Sequence, residues 1–167
     1  SVSVLENLAK RDILLKNRVP VKRIYNSREK LIKELVLSDS QKDALNGIKK
    51  SFLTNNVVNL LGITSSGKTE IYVNLIKEEI LKGNSALLMV PEIALTTQLS
   101  LRLSSYFPSN LIVYHSSISP NMRHELWSDM VNNDKPKVIL GARSSVFLPF
   151  KNLGIIIIDE EHENYLE

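Results

Sequence analysis

From Glu34 onward the apolar positions fall into short blocks that switch between two periods. Ser38 or Ser40 heads a stretch in which Gln41, Ala44, Leu45, Ile48 and Phe52 recur at helical spacing, so a capped helix is expected there. Val57–Leu61 is a short apolar run ending at Gly62 and predicts a buried strand. Lys68 to Lys82 sets Ile71, Leu75, Ile76 and Ile80 on one helical face. Ala86–Val90 predicts a second strand, followed by a helix over about 94–106. Leu111–Tyr114 predicts a third strand, and Pro120 to Val131 the next helix. Val138–Leu140 and Ile155–Asp159 add two more strands. Apolar runs buried on both faces and separated by helices describe an α/β unit, a parallel sheet with crossover helices.

The chain before this alternation reads differently. Val4, Leu5 and Leu8 share a face of a short helix whose last turn carries Lys10 and Arg11, where positive charge suits the helix dipole. A basic, β-rich stretch over 13–24 follows, with Pro20 marking an edge strand or a break. This is too little to bury a core, so residues 1–36 are expected to be the end of a small domain preceding an α/β unit over 37–167. Charge divides at the same place. Residues 1–36 hold nine Lys/Arg against four Asp/Glu, leaving twelve against fourteen for the remainder and a net +3 overall. A basic piece of that kind suits a polyanion.

Composition narrows the class further. With 167 residues, 43% hydrophobic and 23% charged, the chain is of ordinary globular type. No apolar run approaches the roughly 20 residues of a membrane helix, so no membrane partner is expected. Ser1 to Pro20 has no signal-peptide pattern, and the absence of cysteine excludes disulfide scaffolds, thiolate metal sites and cysteine nucleophiles. A cytoplasmic location is the expectation.

One loop carries chemistry. Gly62-Ile63-Thr64-Ser65-Ser66-Gly67-Lys68-Thr69 has two glycines separated by four residues and followed by Lys and Thr, between an expected strand and an expected helix. Backbone amides of such a loop and the helix N-terminus present partial positive charge to phosphate oxygens. Lys68 would reach the β- and γ-phosphates of a nucleotide, and the Thr69 hydroxyl would ligate Mg²⁺. The metal also needs a carboxylate at a nearby strand end. Ile155 to Ile158 followed by Asp159-Glu160-Glu161-His162 provides one. Asp159 would hold the Mg²⁺ water shell, and Glu160 would polarise the attacking water. His115, His124 and His162 are the only histidines, and Ser128 breaks the helical zinc pattern begun by His124-Glu125. Neither a Gly-x-Ser-x-Gly elbow nor a Gly-x-Gly-x-x-Gly fingerprint is present.

The order of this loop, Met89-Val90-Pro91-Glu92-Ile93-Ala94-Leu95-Thr96, Tyr114-His115-Ser116, Gly141-Ala142-Arg143-Ser144 with Val146 to Phe150, and Asp159 to His162 resembles superfamily 2 helicases. More narrowly, it is similar to the bacterial replication-restart helicases. The resemblance implies that residues 1–36 are the recognition helix and wing of a winged-helix DNA-binding domain. Residues 37–167 would then be most of a RecA-like first helicase lobe. It implies ATP and Mg²⁺ as cofactors, with Gln41 reading adenine. Pro91 to Thr96 and Arg143 to Phe150 would line a track for single-stranded DNA. Pro91, Thr96, Arg143 and Ser144 are its candidate contacts, Arg143 at a phosphate, and Lys22 and Arg23 contribute from the wing.

The implied activity is ATP hydrolysis coupled to translocation on single-stranded DNA during primosome assembly at stalled forks. Forked and single-stranded DNA, other primosome proteins and single-strand-binding proteins would be the partners. The second lobe, its arginine finger and a set of zinc-binding cysteines would lie outside this chain, which alone would hydrolyse ATP scarcely. Ser65 departs from the pattern, standing where the family usually has a third glycine. Two other readings use the same residues. One is an ATP-gated switch or nuclease-associated motor that does not unwind; the other is a DNA-binding module inactive in isolation.

Overall fold

Among the described residues, four short parallel strands form one sheet in the order β2-β3-β1-β4. They are β1 (Ser85–Met89), β2 (Leu111–Tyr114), β3 (Val138–Gly141) and β4 (Leu153–Ile158). The computed structural model describes residues 35–63, 66–91 and 97–159, so the expected winged-helix piece lies outside the described residues apart from 35 and 36. Helices α1 (Asp39–Ser51), α2 (Lys68–Leu81), α3 (Thr97–Ser104) and α4 (Pro120–Asn132) flank the sheet. None of these helices is long and apolar enough to cross a membrane.

Local sequence explains the helix ends. Ser38 caps α1: its hydroxyl accepts from the Gln41 amide at 3.3 Å, while the Gln41 side chain accepts from the Ser38 amide at 2.9 Å. This reciprocal box satisfies two donors that the first turn would otherwise leave unpaired. Ser119 caps α4 with a one-way bond, accepting from the Met122 amide at 3.3 Å, with Pro120 at the first helical position. The α3 helix ends at Ser104, short of the expected 106, where the Ser104 and Ser105 hydroxyls turn back to the Leu101 and Arg102 carbonyls. Such hydroxyl-to-carbonyl bonds compete with helical pairing.

Alternating side chains of the central strands feed two cores. Ala86, Leu88, Val138 and Leu140 join Leu45, Ile48, Ile71, Ile76 and Leu103 on one face. Leu87 and Ile139 join Ile112, Leu126, Met130 and Leu148 on the other. Below the second core the Lys137 ammonium is buried within 3.5 Å of the Asp129 carboxylate, and donates to the Asn133 and Lys135 carbonyls. A cation there meets the carbonyl end of α4, which offsets its desolvation.

The expected strand over 57–61 does not form. Val58 and Leu60 rest against the first core, while Val57 and Leu61 are 84% and 86% exposed and, among the described residues, no ladder pairs the segment. Asn59 interrupts the apolar run; burial on both faces would strip its amide of water with no partner supplied. The segment keeps the alternation of a strand without its hydrogen bonds. Among the described residues β4 is consequently an edge strand, and its isoleucines are not uniformly buried: Ile156 and Ile158 are 48% and 54% exposed.

Candidate nucleotide site

The phosphate-loop pattern is placed where the sequence puts it, at the start of α2. Gly67 is the N-cap, with φ of +84°, a left-handed conformation that side chains bearing Cβ resist. A Cβ here would also collide with the Gln41 side-chain nitrogen, which donates to the Gly67 carbonyl at 3.2 Å. Gly67 is therefore required twice, by torsion and by the approach of α1. At the other end of the loop, a Cβ on Gly62 would stand 2.9 Å from Ser66 Oγ. Lys68 Nζ donates to the Gly62 carbonyl at 2.7 Å, and the Ser66 amide to the Ile63 carbonyl at 3.2 Å. The lysine thus closes the loop across both glycines. Gln41, expected at an adenine, has its oxygen in the α1 capping box and one amide hydrogen on the loop.

The C-terminal edge of the sheet gathers the other motifs. Met89 is in register with Gly141 and Ile158, so Pro91, Arg143 and Asp159 all leave the sheet at the same level. The Asp159 amide continues the ladder by donating to the Met89 carbonyl at 2.9 Å. Its carboxylate Oδ1 accepts from the Tyr72 hydroxyl at 2.9 Å. Tyr72 is one turn beyond Lys68 and Thr69 on α2, so this bond joins the phosphate-loop helix to the carboxylate. Beyond β3, residues Arg143–Phe147 form a 3-10 turn. Ser145 is fully buried beneath it and donates to the Ala142 carbonyl at 2.5 Å. A Cβ on Gly141 would lie 2.6 Å from Ser145 Cβ, so only glycine lets this turn fold onto the strand end. The turn leaves Arg143, Ser144 and Phe147 exposed.

These residues suit a metal that arrives with phosphate. Among the described residues no group of three His, Cys, Asp or Glu side chains could hold an ion by itself. Mg²⁺ bound to a nucleotide does not need one, since phosphates and water fill most of its shell. A single carboxylate, Asp159, with the Thr69 hydroxyl and a loop bounded by glycines whose added Cβ would clash, fits that demand. Glu70, also in the first turn of α2, pairs with Arg102 of α3, and its Oε2 is buried without a partner among the described residues. Thr64, Ser65, Thr96, Glu160, Lys22 and Arg23 lie outside the described residues.

Residues 38–165 match the family model for the DEAD/DEAH box helicase. The chain belongs to this family. It is 44% identical over 128 residues to replication restart protein PriA of Rickettsia felis, spanning 77% of this chain and 19% of that protein. Against PriA of Bacillus subtilis it is 41% identical over 132 residues, 78% of this chain and 16% of that protein. Against PriA of Helicobacter pylori 26695 the identity is 42% over 128 residues, 77% and 20%. The chain thus spans about one fifth or less of the length of these relatives. A solved structure of RecG bound to a three-way DNA junction superposes with a TM-score of 0.64 at 24% identity, over 98% of this chain and 20% of that one. That likeness shows the fold, a RecA-like α/β lobe, as the resemblance implies.

Tyr72, Glu70 and Ser145 are site neighbours that the motif reading passes over. A buried tyrosine needs a partner for its hydroxyl, and Tyr72 lies one turn along α2 from Lys68. That was the available signal. Its acceptor, 87 residues away, was not legible in the sequence.

Proposed function

We propose that this chain is part of an ATP-driven DNA helicase acting in replication restart, in which ATP hydrolysis drives movement along single-stranded DNA. The observation that supports it best is the Tyr72–Asp159 hydrogen bond, which draws the carboxylate at the end of β4 to the helix that opens with Lys68 and Thr69. In this reading the loop from Gly62 to Thr69 holds the phosphates, and Lys68 exchanges its bond to the Gly62 carbonyl for a phosphate oxygen. Thr69 and Asp159 hold Mg²⁺, and Glu160 orients water. Gln41 contacts adenine with the amide hydrogen that the loop leaves over. Arg143 and Ser144, on an exposed turn at the sheet edge, contact the DNA backbone with Pro91 and Thr96. Lys22 and Arg23 add a sequence-independent contact from the basic piece over 1–36, read as the end of a winged-helix domain. Forked DNA, primosome proteins and single-strand-binding proteins in the cytoplasm are the partners. Zinc belongs to parts of the protein beyond this chain.

DNA-stimulated ATPase of the intact protein tests the reading. Lys68→Ala is expected to abolish it, while Arg143→Ala is expected to weaken DNA stimulation and leave the DNA-free rate unchanged. Full DNA-stimulated turnover in Lys68→Ala overturns the assignment. An isolated lobe is expected to turn over slowly, since a missing arginine finger costs about 10³ to 10⁵ in rate.

A further inference from the structure

The hydroxyl of Tyr72 has a geometry that the phosphate-loop and acidic motifs do not explain. The ring is buried in the core shared by α1, α2 and the sheet, and its polar end emerges at Asp159. Asp159 stands one residue past the last residue of β4. Its backbone is tied by the amide bond to Met89, but a carboxylate at a strand end still rotates about two side-chain bonds. The phenol bond at 2.9 Å occupies Oδ1 and so restrains the rotamer, while Oδ2 takes no part in that bond. Carboxylates that serve a metal are commonly oriented by such partners, whose removal costs about 10- to 100-fold in metal affinity or activity.

We infer that Tyr72 is a positioning residue, whose hydroxyl orients the Asp159 carboxylate toward the Mg²⁺ that accompanies the nucleotide. The inference rests on the nucleotide-site reading above. It makes the phosphate-loop helix carry both halves of the metal site: Thr69 directly, and Asp159 through Tyr72 one turn later. Movement of α2 would then move both together.

Tyr72→Phe removes one oxygen and keeps the buried ring. In the intact protein, binding of a fluorescent ATP analogue is titrated with Mg²⁺, alongside the same titration without metal. The Mg²⁺ concentration at half-saturation is expected to rise about 10-fold in Tyr72→Phe, with metal-free nucleotide affinity unchanged. In an Asp159→Asn background the same substitution is expected to add less than about 2-fold, because the group being oriented has gone. A thermal melt without ligand records any structural effect separately. An unchanged Mg²⁺ midpoint in Tyr72→Phe, or an equal shift in both backgrounds, overturns the role of Tyr72 even if the melt is lowered. Failure of the wild-type protein to bind nucleotide in a Mg²⁺-dependent way overturns the nucleotide-site reading itself, and this inference with it.

Discussion

The two central strands and the segment entering the phosphate loop are built to opposite specifications. Every residue of β3 is buried, and so are the three middle residues of β1, each strand hydrogen-bonded along both edges. The segment over 57–63 is short, apolar and equally strand-like in sequence, yet it lies against the core on one side and has no ladder. What holds the loop that follows is a small set of polar bonds, from Gln41 to Gly67, from Lys68 to Gly62 and from Ser66 to Ile63. Packing that excludes water makes the sheet centre rigid, because its close-packed side chains have no alternative arrangement of similar energy. Hydrogen bonds at an exposed loop can instead be traded for bonds to an incoming anion at little net change. In the proposed reading the rigid part places the carboxylate and the exchangeable part receives the phosphate.

The sharpest way to break this contrast is to truncate one side chain in each region. Ile139→Ala, at a fully buried position, is expected to cost about 2–5 kcal/mol in urea unfolding. Leu61→Ala, at an exposed one, is expected to stay within about 0.5 kcal/mol. A comparable loss at Leu61 would mean that the segment docks as a strand in solution.

The difference also marks what could be read from the chain. Central strands announce themselves because burial on both faces requires continuous apolar residues, and β3 does so with Val138, Ile139 and Leu140. The α1 cap was legible to within a choice of serines because its chemistry is local. Val57–Leu61 misled because one polar residue, Asn59, decides between a two-faced strand and a one-faced extension. The β4 isoleucines misled for a related reason: burial of Ile156 and Ile158 depends on neighbours that the run itself does not encode. In the candidate site, the places of Gly67 at the start of α2 and of Asp159 just past β4 were legible because spacing sets them. The Tyr72 bond and the buried Ser145 were not, since both depend on how distant strand ends align.

Glycines at the sheet edge test the boundary between the regions. Gly141→Ala would place a methyl group 2.6 Å from Ser145 Cβ, pressing the 3-10 turn away from β3. Overpacking of this kind is expected to cost about 1–3 kcal/mol and to weaken DNA-stimulated ATPase, since Arg143 moves with the turn. Gly67→Ala is expected to cost about 1–2 kcal/mol for its left-handed torsion. Its larger effect is functional: by pushing Gln41 aside it should weaken nucleotide binding in direct titration, where Leu61→Ala should not.

A small, pH-dependent effect is expected where β4 begins, at the end of the sheet away from the candidate nucleotide site. Burial raises the energy of the charged Glu79 carboxylate, but hydrogen bonds from Lys82 at 2.6 Å and Asn84 at 2.8 Å outweigh it and hold the acid below its ordinary pKa. The space the carboxylate uses exists because Gly154 has no side chain. A folded-state pKa below the unfolded one means that the folded protein binds fewer protons between the two values. The stabilisation is therefore complete above the usual carboxylate range and is lost as pH falls through the lowered folded value. Glu79→Gln should lose about 0.5 kcal/mol at pH about 7, the size of a short-range helical ion pair. The gap between variant and wild type should narrow as pH falls toward about 3, in unfolding curves measured at each pH. A gap that stays constant over that range would assign Glu79 a role independent of its charge.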